Sequence, residues 1–156
     1  MSIPPVRTAA SIPTPQEQAP QAPVAPSMKA FLELAFRPLY IAGIGWALIA
    51  IALWIYAPQV LTAPLGGIAW HAHEMLWGFI ATIALAFLMT AGASWTGITP
   101  MTGKLLGLAC GLWAVARIGF LVPSDTAFWV ATASELSFFL LGSAAMMRAV
   151  VLSKNS

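Results

Sequence analysis

A chain of 156 residues that is 60% hydrophobic and only 8% charged stands apart from soluble domains, of which about a quarter of the residues are charged. Composition therefore predicts an integral membrane protein about one domain in size. A net charge of +2 gives no argument for nucleic acid, and a lone cysteine, Cys110, excludes a disulfide or a cysteine-based zinc site within one chain.

Residues 1–26 are rich in Pro, Ala, Gln and Ser. Seven prolines exclude a helix and leave no strand pattern, so an extended, polyproline-like tail is expected. Without an apolar core it is not a secretory signal. It reads as a disordered tail, or as an arm that lies along a partner. Residues 27–37 read as a short interfacial helix, capped by Ser27, with Phe31, Leu34 and Ala35 on one face.

Arg37-Pro38 opens a domain over 38–152 with four expected spans, at about 38–57, 70–93, 104–122 and 126–152. Each approaches the twenty or so residues that a bilayer requires. Tyr40 and Tyr56 sit near the ends of the first, where amphipathic rings are favoured. Pro58–Ala69, Ser94–Gly103 and Pro123-Ser124-Asp125 are the connections, and residues 153–156 form a polar tip. The fold class is thus all-α: a four-helix transmembrane bundle behind a Pro-rich tail and a short interfacial helix.

Four spans place both termini on one side. Arg7, Lys29, Arg37, Lys104, Arg148 and Lys154 all fall there, and the two opposite connections hold no Lys or Arg. The positive-inside rule makes that side cytoplasmic, which puts His71 and His73 near the outer face.

Both histidines of the protein lie in Trp70-His71-Ala72-His73-Glu74-Met75, at the mouth of the second span. Imidazole is a common ligand for haem iron, copper or zinc. Helix geometry turns residues two apart about 200° from each other, so the two rings meet different neighbours. His71 shares a face with Met75 and Gly78. Met75 supplies a soft donor for cuprous copper, and Gly78 leaves room for a flat macrocycle. Hydrogen-bonded interfacial histidines are the competing reading.

Ionisable residues within spans are costly and mark function or a structural ion pair. Glu74, Arg117 and Glu135 are of this kind. They read as a charge network that locks the bundle, as a clamp for cofactor propionates, or as a proton route. Arg117 is expected to pair with at least one of the two glutamates, with Glu135 somewhat favoured, and it is placed where it can stack on Trp113. Gly103, Gly107 and Gly111 form a small-residue ridge that predicts close helix packing. No residue set supplies a nucleophile with its base, so an enzyme is not expected.

Phe36-Arg37-Pro38, Trp70-His71-Ala72-His73-Glu74-Met75 with Gly78-Phe79, and Phe87-Leu88 with Thr90-Ala91 resemble the N-terminal part of the NnrS family. Trp95-Thr96-Gly97, Pro100, Gly103, Trp113 with Ala116-Arg117, and Glu135 continue the likeness, which runs roughly from Ala35 to Arg148. The resemblance implies a haem- and copper-containing protein of the bacterial inner membrane, linked to the response to nitric oxide. Such proteins have about twelve spans, so four correspond to the first third. It implies haem b or copper at His71 and His73, with Met75, Gly78 and Arg117 around the cofactor. Missing ligands would come from a second copy or another subunit. The alternative is a non-catalytic accessory subunit that docks on a larger respiratory or photosynthetic membrane complex. A small transporter is a weaker third reading, since the repeats and broken helices of such folds are absent.

Overall fold

The computed structural model describes residues 28–33, 35–62 and 64–154. The Pro-rich tail, the Ser27 cap and Leu34 lie outside them. The described residues are helical throughout, apart from short connections. Helix α1 is Met28–Phe31 and α2 is Phe36–Tyr56. The helix expected over residues 27–37 is thus only four residues long, and α2 begins two residues before Pro38. Proline is tolerated there because a first-turn amide has no intrahelical acceptor to lose.

A short 3-10 turn at Pro58–Val60 follows, then α3, Gly67–His73. Glu74–Ala81 is π-helical, and α4 runs from Thr82 to Thr96 without a break in the rod. Gly97 ends α4 in the left-handed conformation (φ 69°), which glycine adopts without a side-chain penalty. Helix α5 is Gly103–Gly119, and α6 is Asp125–Ser153.

Among the described residues, three helices are long and apolar enough to cross a membrane: Arg37–Tyr56, Gly67–Thr96 and Asp125–Ser153. Helix α5 has 17 residues. At 1.5 Å per residue it is roughly 25 Å long, short of the ~30 Å hydrocarbon core. By length and composition, three of the four expected spans are thus present, with α5 as a shorter companion.

Helices α5 and α6 pack along matching seams. On α5 the buried positions are Leu106, Ala109, Trp113, Ala116 and Arg117; on α6 they are Ala131, Ser134, Phe138, Gly142, Ala145 and Ala149. Both rows step by three and four, the spacing of a helix face. Small side chains on them allow close approach: a Cβ at Gly119 would stand 2.8 Å from Ala131 Cβ.

The glycine ridge at Gly103, Gly107 and Gly111 does not pack against another helix among the described residues. Gly103 and Gly111 are exposed, and a methyl group added to either would meet nothing within 4 Å among the described residues. At Gly107 it would meet only Leu32 Cδ1, at 3.9 Å. Gly111 shares its outward face with Leu108, Val115 and Ile118, all well exposed. The inward face of α5 is the one that carries Trp113 and Arg117.

Candidate functional site: a buried ring of four ionisable side chains

The first apolar cluster includes Leu39, Ala86, Met89, Leu106 and Phe138. The second includes Ala50, Trp70, Ala116, Phe120 and Ala131. Trp46 of α2 packs against both. The same Trp46 also reaches Glu74, one of four ionisable groups from three helices that close into a ring.

Arg117 Nη1 donates to Glu74 Oε2 at 2.6 Å, and its Nη2 donates to Glu135 Oε1. His73 spans the other side, with Nδ1 3.0 Å from Glu74 Oε1 and Nε2 2.9 Å from Glu135 Oε2. Each carboxylate therefore bonds one arginine nitrogen and one imidazole nitrogen. Trp46 Nε1 adds a further donor to Glu74 Oε2, at 2.5 Å. The Arg117 guanidinium lies 5.9 Å from the centre of the Trp113 ring and 5.5 Å from that of Phe120. Phe120 also meets His73 edge-on at 4.5 Å.

Carboxylate oxygens only accept hydrogen bonds, so the contacts around His73 are satisfied when both ring nitrogens carry protons. Two cations then face two anions, and the ring sums to zero charge. Neutrality and pairing of each charge are what a low-dielectric interior requires of buried ions, although Arg117 Nε is buried with no hydrogen-bond partner among the described residues. Burial is graded across the ring: the side chains of Glu74 and Arg117 are 0% and 2% exposed, against 17% for His73 and 12% for Glu135. Glu135 and His73 are thus the edge that faces outward.

The π-helical segment builds this arrangement. Such turns carry one residue more than α turns and collect at functional sites. Glu74 opens the segment, and Gly78 lies inside it. A Cβ on Gly78 would stand 2.7 Å from Arg117 Nη1, 2.8 Å from Glu74 Oε2 and 3.0 Å from Trp46 Cδ1. The far end is held by Thr82, whose hydroxyl donates to Trp77 O at 2.9 Å. The same oxygen accepts from Trp113 Nε1 of α5, also at 2.9 Å.

Several expected roles change as a result. Arg117 pairs with both glutamates, so it is not free to clamp a propionate. The space above Gly78 is filled by Arg117, Glu74 and Trp46, so it does not receive a macrocycle. Both nitrogens of His73 face carboxylates, which removes it as a ready metal ligand. Met75 packs at the edge of the second apolar cluster. His71 stands apart. It stacks on Trp54 (4.8 Å between centroids, 19° between planes), and its buried Nδ1 has no hydrogen-bond partner.

Haem b and copper are therefore a poor fit to the ring itself. Among the described residues, no three His, Cys, Asp or Glu side chains converge in a way that would hold a metal ion. His71 alone fits, as a single imidazole without a competing partner.

Sequence reasoning finds three members of the ring and their mutual attraction, and it names His73 for a different task. It misses Trp46 and Thr82. An indole on the inward face of the first span and a threonine two turns beyond Glu74 carry no signal without the helix register.

An all-helical, apolar bundle closed around buried opposite charges defines the class: a polytopic membrane protein with a polar lock at its centre. The chain belongs to the NnrS family, whose sequence model, NnrS protein, matches residues 30–156. No curated protein and no solved structure matches it.

Proposed function

We propose that this NnrS-family chain crosses the bacterial inner membrane four times, with both termini in the cytoplasm, and works in the response to nitric oxide. The grouping of its ends supports four crossings. Gly103 N donates to Leu32 O at 2.9 Å, and Pro100 and Leu105 line a groove with Arg148. Those residues mark one end. Thr62 and Pro64 line a groove with Pro123 and Asp125 at the other. Lys104 and Arg148 lie at the first end, and Asp125 at the second, as a cytoplasmic and an outer face would have it.

In this reading His71 contributes one ligand to haem b or copper at a boundary with another chain, which supplies the rest. When bound, either group provides a redox-active centre that takes nitric oxide as a ligand. The observation that carries the assignment to His71 is its Nδ1, without a hydrogen-bond partner among the described residues, beside a His73 already held by two carboxylates. The test is metal analysis and a reduced-minus-oxidised visible spectrum of the complex purified intact. His71→Ala is expected to lose the Soret band or the copper and keep its thermal stability. A wild-type complex with neither haem nor metal would overturn the reading.

One observation favours a second function, that of a non-catalytic accessory subunit on a larger membrane complex. The ridge of Gly103, Gly107 and Gly111 is left open by this chain's own described helices, and such ridges suit close contact with a helix from elsewhere.

A further inference from the structure

We propose that the groove beside Glu135 binds the phenolic ring of a lipid-dissolved hydroquinone. The groove has a volume of about 300 Å³ and is lined by Trp77, Glu135, Leu136, Phe139, Leu140 and Ser143. This volume is at the small end of ligand sites. Leu136 is 59% exposed and Leu140 68%, so the groove opens outward from α6.

Its position restricts what can enter. Glu135 lies ten residues into α6, which begins at Asp125. That is about 15 Å along the helix axis, well inside a helix that spans a ~30 Å hydrocarbon core. The occupant therefore arrives through the lipid. It is mostly apolar, because the groove's walls are.

The polar wall selects the head group. Glu135 Oε1 accepts from Arg117, and Oε2 faces His73 Nε2 at 2.9 Å. A carboxylate has about four acceptor positions, so both oxygens retain capacity. The ring of charges is already neutral, which removes the electrostatic reason to take a cation. A neutral hydrogen-bond donor is what the site lacks. An acyl chain fills the volume and donates nothing.

The aromatic walls select the shape. Trp77 and Phe139 meet edge to face at 5.5 Å, and Trp77 is 44% exposed. A flat ring can lie against this pair in an offset or edge-on contact. A phenol combines that ring with one hydroxyl donor to Glu135. This binding mode draws on no metal and no residue of the His71 face, so it stands or fails separately from the cofactor reading.

The experiment measures binding of tritiated 2-decylhydroquinone to the full chain in nanodiscs, with partition into empty nanodiscs subtracted. Saturable binding at one per chain is expected. The dimethyl ether of the same compound keeps ring and tail but cannot donate, and is expected to compete at least about tenfold less well, as loss of a hydrogen bond to a charged acceptor implies. Leu140→Trp fills the groove away from the ring and should abolish saturable binding with an unchanged melting temperature. Glu135→Gln tests the acceptor, provided its melting temperature is followed alongside. Equal competition by phenol and ether would overturn the proposal, and so would undiminished binding to Leu140→Trp. A nanodisc titration with no saturable component overturns it as well. Conversion of an oligomer to a monomer by Leu140→Trp would assign the groove to a second copy and overturn it too.

Discussion

Gly78 sits against the Arg117–Glu74 pair so closely that a single methyl group has no place there. The two nearest polar atoms would be 2.7 and 2.8 Å from a Cβ, and both belong to buried charges that cannot swing into water. Gly78→Ala should therefore push Arg117 off Glu74 or spread α5 from the π-helical segment. Overpacking and a disturbed buried ion pair together predict a loss of about 2–4 kcal/mol. Unfolding in mixed detergent micelles would measure it, and a variant as stable as the parent would show that the ring relaxes freely.

Arg117 holds two carboxylates from two helices, a task for a planar fork rather than a point charge. Arg117→Met should cost about 3–5 kcal/mol, because it leaves Glu74 and Glu135 with His73 as the one cation between them. Arg117→Lys should recover only part of this. The triple change Arg117→Met with Glu74→Gln and Glu135→Gln should be milder than Arg117→Met alone, since the stranded charges go with their partner. Additive losses across the three positions would contradict the ring.

Thr82 takes the Trp113 indole proton and closes the π-helical segment with the same oxygen. Thr82→Val keeps the shape and leaves a buried N–H unsatisfied, for an expected loss of about 1–3 kcal/mol. Thr82→Ser keeps the hydroxyl and should lose less. The comparison of the two in one unfolding assay separates the hydrogen bond from the methyl group.

Gly111→Ala should leave the isolated chain's stability unchanged or slightly raised, because the new methyl meets nothing and alanine is the better helix former by about 1 kcal/mol. Gly111→Leu should act the same way on the chain alone. If the accessory-subunit reading holds, Gly111→Leu breaks co-purification with the larger complex. Intact co-purification would remove the ridge from consideration as a docking face.

Reporters fused at the two ends should read on the same side of the membrane if α5 crosses it and on opposite sides if only the three longer helices do. The placement of Lys104 and Arg148 together at one end predicts the first, with both ends in the cytoplasm.

Much of the bundle is legible from apolar length and from turn residues. Thr96-Gly97 and Pro123-Ser124 mark the breaks because left-handed and extended backbone suits them. The pairing of Arg117 with both glutamates is legible too, since a guanidinium inside a span has few anions to choose from. The inward row on α5 is open to the same reading: Leu106, Ala109, Trp113 and Phe120 step by three and four and carry Arg117 with them. The glycine row competes with it from the outward face, because spacing alone does not say which small-residue stripe has a neighbour. His73 is hard to read for a comparable reason. An imidazole's role depends on what its two nitrogens face, and a partner 62 residues away in sequence leaves no local trace. The π-helical turns are hidden as well, since every expected alignment rests on about 3.6 residues per turn.

The order in which the ring's members are synthesised bears on how the chain enters the bilayer. Glu74 emerges from the ribosome 43 residues before Arg117, and His73 emerges 62 before Glu135. For that interval the second span presents to the translocon a carboxylate that has His73 beside it but still lacks its arginine. It must wait at the protein-lined exit, or bring water with it, until α5 arrives. Even then His73 has one anion of two, and the final hairpin supplies the other. Release into lipid thus becomes a concerted event tied to the completion of α6, and a chain stalled before residue 135 should remain crosslinkable to the insertion machinery.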